Sequence, residues 1–329
     1  MGEKLDIARQ WVMKQWHTWT HPDNRWLSGP CAVAALLVLV VAVKSCQGIA
    51  YNLSTEAKLY KLGYPIDEAR AMAEVLPADQ ADSLIARHGH DSIAYPIMQQ
   101  RYFIASNFDR YLSFHKTDTS GLQLAEIVAI VNVGGDTDRH RTSAPADTSK
   151  GVLILVNGRH YLDEHYRPSH LVTIKKSYCY ESQQAVDAVV DAFVAMQQEC
   201  HKQTHTTLLI NSAYRSHHEQ IATYKRNDKR YVARAGYSEH QTGLAIDVTS
   251  LQHPEKWSFG KSKEGIWMRE NCHRYGLILR YPERQSHIMG YSYEPWHLRY
   301  VGPEVAQRIH DEGITFDEYY AYYIERAVE

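Results

Sequence analysis

An uninterrupted apolar run near the start is the strongest single pattern in the chain. Residues 31–43, CAVAALLVLVVAV, are all apolar and lie between Pro30 and Lys44. A helix that crosses a bilayer needs roughly 20 residues, and the short segments on either side of the run supply the remaining length. The pattern therefore predicts a single transmembrane anchor over 30–50.

Basic residues precede this run and indicate its orientation: Lys4, Arg9, Lys14 and Arg25. A basic flank of this kind stays in the cytoplasm. We therefore predict a short cytoplasmic segment over 1–29, a single-pass attachment to the cytoplasmic membrane, and an extracytoplasmic position for 51–329. A cleaved signal peptide fits less well, because its apolar core normally lies closer to the N-terminus. A buried core helix stays open as an alternative.

Residues 51–150 have the pattern of a mainly helical region. The segments TEAKLYKLG, IDEARAMAEVL and ADQADSLIARHG have helical spacing and are each stopped by Gly or Pro. Two short β-branched runs, 126–133 (EIVAIVNV) and 152–158 (VLILVNG), predict two strands of one sheet. The polar segment between them predicts a loop.

Helical and alternating patterns are mixed in the rest of the chain. SQQAVDAVVDAFVAMQQECHKQ, HHEQIATYKR and EGIWMRENCHRYG predict helices. TLLINSAYRS, TGLAIDVTS and LILRYP predict strands. The polar residues of chemical interest stand at strand edges or in adjoining loops. The mixture predicts one α+β domain over 151–329.

Composition and cysteine spacing narrow the function classes only slightly. The formal net charge is −2 and the isoelectric point is about 6.8, so no basic field points to nucleic acid. The five cysteines include no CxxC pair, which argues against a thiolate zinc finger. Buried free thiols are the favoured state of Cys179, Cys200 and Cys272, and a Cys179–Cys200 disulfide is the alternative.

One set of residues could hold a metal ion. His240, Asp247 and His297 supply two imidazoles and one carboxylate, a sufficient ligand set for a catalytic zinc. Glu294 stands three residues before His297, so both side chains could face one cavity, where the carboxylate would act as general base. In a chain with 19 histidines, spacing alone leaves surface histidines open as an alternative.

Three motifs, in order, resemble one enzyme family. SEHQTGLAID (238–247) matches the SxHxxGxAxD signature of the VanY-type zinc D-alanyl-D-alanine carboxypeptidases. EPWH (294–297) matches the family's motif with a glutamate and a histidine, and SAYRS (212–216) matches its arginine-bearing strand. One departure is Ala235, where the family commonly has a proline before the glycine, and this affects loop stiffness rather than chemistry.

The resemblance implies a fold, a cofactor and an activity. The fold would be the Hedgehog/DD-peptidase type, a small antiparallel sheet with flanking helices. Zn²⁺ would be held by His240, Asp247 and His297, with Glu294 as general base. The implied reaction removes the terminal D-Ala from peptidoglycan stem peptides that end in D-Ala-D-Ala. Arg215 would polarise the scissile carbonyl or hold the substrate, since a guanidinium stabilises a developing oxyanion.

Three further residues are candidate substrate contacts. Gln220 and Ser238 could hydrogen-bond the peptide or its terminal carboxylate, and Trp296 could wall the pocket for the terminal methyl group. Each has a plain alternative, namely a polar helix face, a turn-forming serine and a core tryptophan. The remaining histidines near these motifs are interpreted as solvated: His217, His218, His273 and His287.

Two other functions remain open at this point. The same site could serve a zinc endopeptidase that cuts another stem-peptide bond, such as L-Ala-D-Glu, because the specificity loops carry no recognisable signal. A non-catalytic cell-wall-binding module with a peptidase-like fold is the third possibility. Intact Glu294 and a complete ligand set argue against it, since an inert site has no chemical need for the base.

Overall fold

The computed structural model describes residues 30–138, 143–228 and 231–326. The chain divides into two compact units, residues 1–92 and residues 93–329. Each unit has its own set of elements and its own buried residues.

The described part of the first unit is helical. Its helices are α1 (Pro30–Asn52), α2 (Thr55–Lys61), α3 (Ile66–Val75) and α4 (Ala78–Ala86). Ser54 caps α2, because its side-chain oxygen accepts a hydrogen bond from the backbone N–H of Ala57 at 3.2 Å. Leu59, Met72 and Leu84 are buried between the short helices. The three helices predicted between residues 55 and 89 are confirmed.

The predicted anchor is a helix, but its membrane crossing is not supported. The side chains before Val40 lie outside the described residues, and Lys44 and Gln47 interrupt the apolar sequence in the second half of α1. Among the described residues, no helix is both long enough and apolar enough to span a bilayer. The predicted cytoplasmic segment, 1–29, also lies outside the described residues.

The second unit opens with three helices, where one predicted strand is wrong. The helices are α5 (Ala94–Met98), α6 (Phe108–Thr117) and α7 (Leu124–Asn132). The run 126–133, predicted as a strand, lies almost entirely in α7. A capping box starts this helix, since the backbone N–H of Gln123 donates to Glu126 Oε2 at 2.8 Å. Every residue of 127–132 is buried, and a short run without a polar side gives no period to separate helix from strand.

The second predicted strand, over 152–158, is also wrong. A short 3₁₀ turn covers Thr148–Leu153, and the segment after it forms no described ladder. Its carbonyl groups pair with a side chain instead, because Arg299 Nη2 donates to Val152 O at 2.9 Å and to Ile154 O at 2.7 Å. The backbone is thus satisfied without a neighbouring strand.

A four-stranded antiparallel sheet forms the centre of the second unit. Its strands are β5 (Leu208–Ser212), β6 (Ala245–Ser250), β7 (Leu277–Leu279) and β8 (His297–Tyr300), in the order β5-β6-β8-β7. Two smaller ladders join β1 (Ala144–Pro145) to β2 (His160–Tyr161) and β3 (Leu171–Thr173) to β4 (Gln184–Val186). The strands predicted around residues 208, 245 and 277 are confirmed.

Helices flank this sheet. They are α8 (Asp187–Thr204), α9 (His217–Arg226), α10 (Lys256–Lys261), α11 (Lys263–Asn271), α12 (Ser286–Met289), α13 (Pro303–Glu312) and α14 (Phe316–Tyr319). The buried face of α8 presents Val189, Phe193 and Met196 to the sheet. Cys179, Cys200 and Cys272 are buried and free, which confirms the favoured thiol state.

The division between the units differs from the boundary predicted near residue 150. Residues 93–150 belong to the unit that carries the sheet. The reason is packing: Ala129 and Ile130 of α7 share an apolar cluster with Ile288 of α12. Apolar burial of this kind, between segments far apart in sequence, joins α7 to the later part of the chain.

Candidate metal centre

The pairing of two strands brings an aspartate and a histidine together. Asp247 on β6 stands directly opposite His297 on β8. Residues opposite each other on antiparallel strands point to the same face, with Cβ atoms about 5 Å apart. His297 Nδ1 and Asp247 Oδ1 are 3.1 Å apart. The sheet itself therefore sets the distance between these two side chains.

The second histidine comes from a turn just before β6. His240 lies in a 3₁₀ turn, Glu239–Thr242, which ends at Gly243 with a φ of +69°. That positive φ turns the chain into the strand, and glycine adopts it without strain. His240 Nε2 lies 3.4 Å from Asp247 Oδ1. The ligand atoms of His240, Asp247 and His297 all lie within 4.8 Å of one another, and all three side chains are buried.

The protonation of His240 suits metal binding. Its Nδ1 is 2.7 Å from the carbonyl oxygen of Ala213, and since a carbonyl only accepts, Nδ1 carries the proton. The lone pair is then on Nε2, which faces Asp247. Burial lowers the pKa of His240 to about 4, helped by the nearby charge of Arg215. The imidazole is therefore neutral at pH 7, as a ligand must be.

His297 has a different environment. Burial opposes its protonated form, but hydrogen bonds with Asp247 and Glu239 and the negative charges of Asp247 and Glu294 raise its pKa to about 9. A dication at this point would compete with that proton for Nδ1. Two imidazole nitrogens and one carboxylate oxygen are the donor set of a catalytic zinc site with an open position. The residues present therefore fit zinc.

Glu294 lies beside the cluster without being part of it. Its Oε2 is 3.9 Å from His297 Nδ1, and its side chain is only 6% exposed. Burial, together with the negative charge of Asp247, raises its pKa to about 7 against the lowering effect of His297. A carboxylate with a pKa near the working pH is well suited to accept and return a proton.

Arg215 reaches the same cavity from the segment after β5. Its backbone N–H donates to the carbonyl of His240 at 3.2 Å, which ties the two segments together. Burial lowers the pKa of the guanidinium, while Asp247 and Glu294 raise it. In the described chain, the Arg215 Nε atom has no hydrogen-bond acceptor. It is thus a buried donor in the wall of a polar cavity.

The cavity has a volume of about 450 Å³. Arg215, Ser238, Glu294 and Trp296 line it together with the cluster. Gln220 does not line it, and its Nε2 donates to Ala233 O at 2.7 Å, which holds a segment that does. The structure thus brings together every predicted site residue except Gln220, which stands one layer behind.

Sequence reasoning assigned no role to two charged residues that lie at the cluster. Lys256 Nζ donates to Asp247 Oδ2 at 2.8 Å and lies 4.9 Å from the centre of the Trp296 ring. Glu239 is 1% exposed and lies 3.5 Å from His297, measured from Oε2 to Nε2. No spacing rule marks Lys256. Glu239 could have been noticed from the sequence, because it directly precedes the candidate ligand His240 in the motif SEHQTGLAID.

The competing histidines have other surroundings. His273 stacks on His310 with ring centres 3.6 Å apart, and His287 Nε2 lies 3.4 Å from Glu126 Oε1. His217 and His218 start α9. In the ranges that the structure covers, none of these histidines joins a group of three or more metal-ligating side chains.

Two histidines and an aspartate at one small antiparallel sheet, with a buried glutamate beside them, are the donor set and base of the metallopeptidase class. The family described as D-alanyl-D-alanine carboxypeptidase (VanY) matches residues 182–303. The chain is 35% identical over 189 residues to the putative carboxypeptidase YodJ of Bacillus subtilis, covering 52% of this chain and 67% of that protein.

Two further similarities agree with this match. Over 193 residues the chain is 34% identical to the bifunctional D-Ala-D-Ala dipeptidase and D-Ala-D-Ala carboxypeptidase VanXYC of Enterococcus gallinarum, covering 52% of this chain and 94% of that one. The structure of the LdcB LD-carboxypeptidase superposes with a TM-score of 0.51 at 34% identity, over 55% of this chain and 90% of that chain. The chain belongs to the VanY family of D-alanyl-D-alanine carboxypeptidases, and the resemblance expected from the three motifs is confirmed.

Proposed function

We propose that the chain is a zinc DD-carboxypeptidase that removes the C-terminal D-Ala from peptidoglycan stem peptides. The observation that carries the proposal is the convergence of His240, Asp247 and His297, whose ligand atoms lie within 4.8 Å of one another. Glu294 lies beside them in the same cavity. These four side chains come from two segments, 240–247 and 294–297, and Asp247 and His297 are 50 positions apart in the sequence, so local structure alone does not bring them together.

The proposed mechanism assigns the proton transfers to Glu294. Zinc, when bound, supplies Lewis acidity that lowers the pKa of water to about 7 and polarises a carbonyl oxygen. Glu294 takes the proton of the attacking water and returns it to the leaving amine of D-Ala. Burial raises the pKa of Glu294 to about 7 in the metal-free protein, and a carboxyl group that is not strongly acidic can both take and return a proton.

Arg215 supplies the positive charge that complements the negative charge developing on the scissile carbonyl oxygen. Its guanidinium is always protonated and lies in the buried wall of the cavity. With the scissile carbonyl in this cavity, the guanidinium would stabilise the negative charge that the carbonyl oxygen gains more than it stabilises the neutral carbonyl. Ser238 offers a hydroxyl for the peptide, and Trp296 offers an apolar wall for the terminal methyl group. Gln220 contributes by holding the carbonyl of Ala233 in the cavity wall.

A second candidate reaction is LD-carboxypeptidase cleavage of the shorter tetrapeptide. The likeness to LdcB, which is an LD-carboxypeptidase, favours this alternative. Both reactions release D-Ala and use the same site, so they differ only in the residue that precedes the bond.

One experiment separates the candidates. The full chain is incubated with a pentapeptide ending in D-Ala-D-Ala and, separately, with a tetrapeptide ending in an L-diamino acid and D-Ala. Each reaction is run with and without a chelator, and mass spectrometry identifies the products. Zinc-dependent loss of one D-Ala from the pentapeptide is expected. Release from the tetrapeptide alone transfers the assignment to LD cleavage, and an internal cut or no release from either peptide overturns the proposal.

Attachment to the cytoplasmic membrane through 30–50 is part of the proposal, since the substrate is outside the cell. It is supported by the sequence pattern and the basic residues before it. Expression of the full chain and of a version lacking residues 1–50, followed by membrane fractionation, tests this part. Equal recovery of both versions in the supernatant would exclude the anchor.

A further inference from the structure

Glu239 lies between two buried arginines and a candidate metal ligand. One oxygen, Oε1, accepts a hydrogen bond from Arg280 Nε at 2.7 Å and another from Arg299 Nη1 at 2.9 Å. The other oxygen, Oε2, lies 3.5 Å from His297 Nε2. The two oxygens of this carboxylate therefore face two different neighbours.

Glu239 Oε2 and His297 Nε2 are each other's nearest available hydrogen-bond partner. Both atoms are buried, and within the described ranges neither has another hydrogen-bond partner. Buried polar atoms in folded proteins are almost always paired. A carboxylate oxygen can only accept, so the proton between the two atoms belongs to His297 Nε2. The Nδ1 atom faces the carboxylate of Asp247 at 3.1 Å, and a metal ion bound there would replace the proton that lies between these two atoms in the metal-free protein.

The carboxylate is itself held firmly. Arg280 Nη1 donates to Asp317 Oδ2 at 2.6 Å, and Asn157 Nδ2 donates to Asp317 Oδ1 at 2.7 Å. Arg299 is anchored by the carbonyl groups of 152 and 154, as described above. Two guanidinium groups hold the buried carboxylate of Glu239 in place, and their other hydrogen-bond partners hold the guanidinium groups in position.

We propose that Glu239 is a positioning residue of the metal centre, which fixes the tautomer and the ring orientation of His297 so that Nδ1 is the metal ligand. A carboxylate behind a ligating histidine orients the ring and increases its basicity. The inference rests on the metal site of the proposed function but concerns a residue outside that site. The proposal also explains the two buried arginines, Arg280 and Arg299, which hold the Glu239 carboxylate behind the metal-ligand cluster.

The decisive substitution is Glu239→Gln, which keeps the size of the side chain. The two arginines require the amide oxygen, so the amide NH₂ group would face His297 Nε2. The NH₂ group can only donate, so it favours the His297 tautomer that has its proton on Nδ1. An Nδ1 atom that carries a proton cannot bind a metal. Loss of such a partner lowers metal affinity by roughly 10–100-fold.

Glu264→Gln is the matched control. Glu264 is also fully buried and also accepts from a histidine, since His253 Nδ1 lies 2.7 Å from its Oε1. It contacts none of the three candidate ligands. The control therefore removes the same charge from a similar pair in the same unit. If Glu239→Gln does not fold, Glu239→Asp carries the test, because it keeps the charge between the arginines and shortens the reach to His297.

The measurement is zinc affinity by competition with a chelating dye, checked by the visible absorption spectrum of the cobalt-loaded protein. We expect Glu239→Gln to bind zinc about 10–100-fold more weakly with an altered cobalt spectrum, and Glu264→Gln to stay within about threefold of the wild type. Unchanged affinity in Glu239→Gln, or equal losses in both variants, overturns the inference and leaves the proposed function standing. A wild-type chain that binds no zinc overturns both.

Discussion

Replacement of Glu294 by glutamine tests the proposed chemistry most directly. The substitution keeps the shape of the side chain but removes its ability to take a proton. General base catalysis contributes about 10²–10⁴-fold to a rate, so kcat is expected to fall by that factor. Glu294 is not one of the three clustered ligands, so the zinc content of the purified protein should stay at the wild-type level.

The same substitution has a calculable effect on stability. Burial raises the pKa of Glu294 from 4.5 to about 7 in the metal-free protein. A group with a raised pKa stabilises the fold fully at low pH, and this contribution is lost as the pH rises through the folded-state value. At pH 8 the ionised carboxylate thus costs about 3 kcal/mol, since the pKa rises from 4.5 to about 7 and each pH unit is worth about 1.4 kcal/mol. Glutamine does not ionise, so the metal-free variant should be more stable than the wild type at pH 8.

Two assays on one preparation complete the test. Release of D-Ala from the pentapeptide gives kcat, and urea unfolding of the metal-free protein at pH 8 and at pH 4 gives the free energy of unfolding. The wild type and Glu294→Gln should differ at pH 8 and nearly agree at pH 4. A variant that keeps more than about a tenth of the wild-type kcat, or that is less stable at pH 8, would refute the role and the environment assigned to Glu294.

Three further predictions follow from the site and its supports. Arg215→Lys keeps the charge but loses the planar donor fork, so kcat should fall about 10²-fold with zinc content unchanged, and a wild-type kcat in a steady-state assay would contradict its role. In the zinc-loaded enzyme kcat/KM should fall as the pH is lowered. The midpoint should lie below the metal-free value of about 7 for Glu294, because a nearby cation favours the carboxylate. A Glu294→Gln variant with the same fall at low pH would disprove the assignment of this titration to Glu294. Gly243 and Gly121 have similar positive φ values, +69° and +74°, so alanine strains the backbone similarly at both. The Cβ of Gly243→Ala would lie 3.0 Å from the Leu171 side chain, whereas that of Gly121→Ala would lie in open space. Thermal melts should therefore show the larger loss of stability for Gly243→Ala, and equal losses would exclude a packing role for Gly243.

The sequence predicted the sheet and the candidate ligands because both depend on local or motif-scale signals. The alternation in TGLAIDVTS marks β6, and the motif around it names His240 and Asp247. The strand pairing that sets Asp247 opposite His297 joins residues 50 positions apart, and no local pattern contains that distance. The ligand set could therefore be named from the sequence, while its geometry could not.

The errors and omissions have physical causes of the same kind. Residues 124–132 form a helix buried on several sides, so their sequence has no polar stripe from which a period could be read. The segment 152–154 gives its carbonyl groups to Arg299, a residue about 145 positions later. Glu239 and Lys256 are charged, and a charged residue in a sequence is normally assigned to the surface. Only the fold shows that Glu239 is buried against two arginines.

The facing positions of Asp247 and His297 on neighbouring strands also bear on how such an enzyme can change. Because the hydrogen-bonded ladder fixes both ligands, the connection over 251–262 that directly follows β6 can gain or lose residues without altering the distance between them. That connection carries Lys256 and Trp257 in the cavity wall. New peptide preferences could therefore arise through exchange of this connection, while the cation-binding side chains keep their geometry.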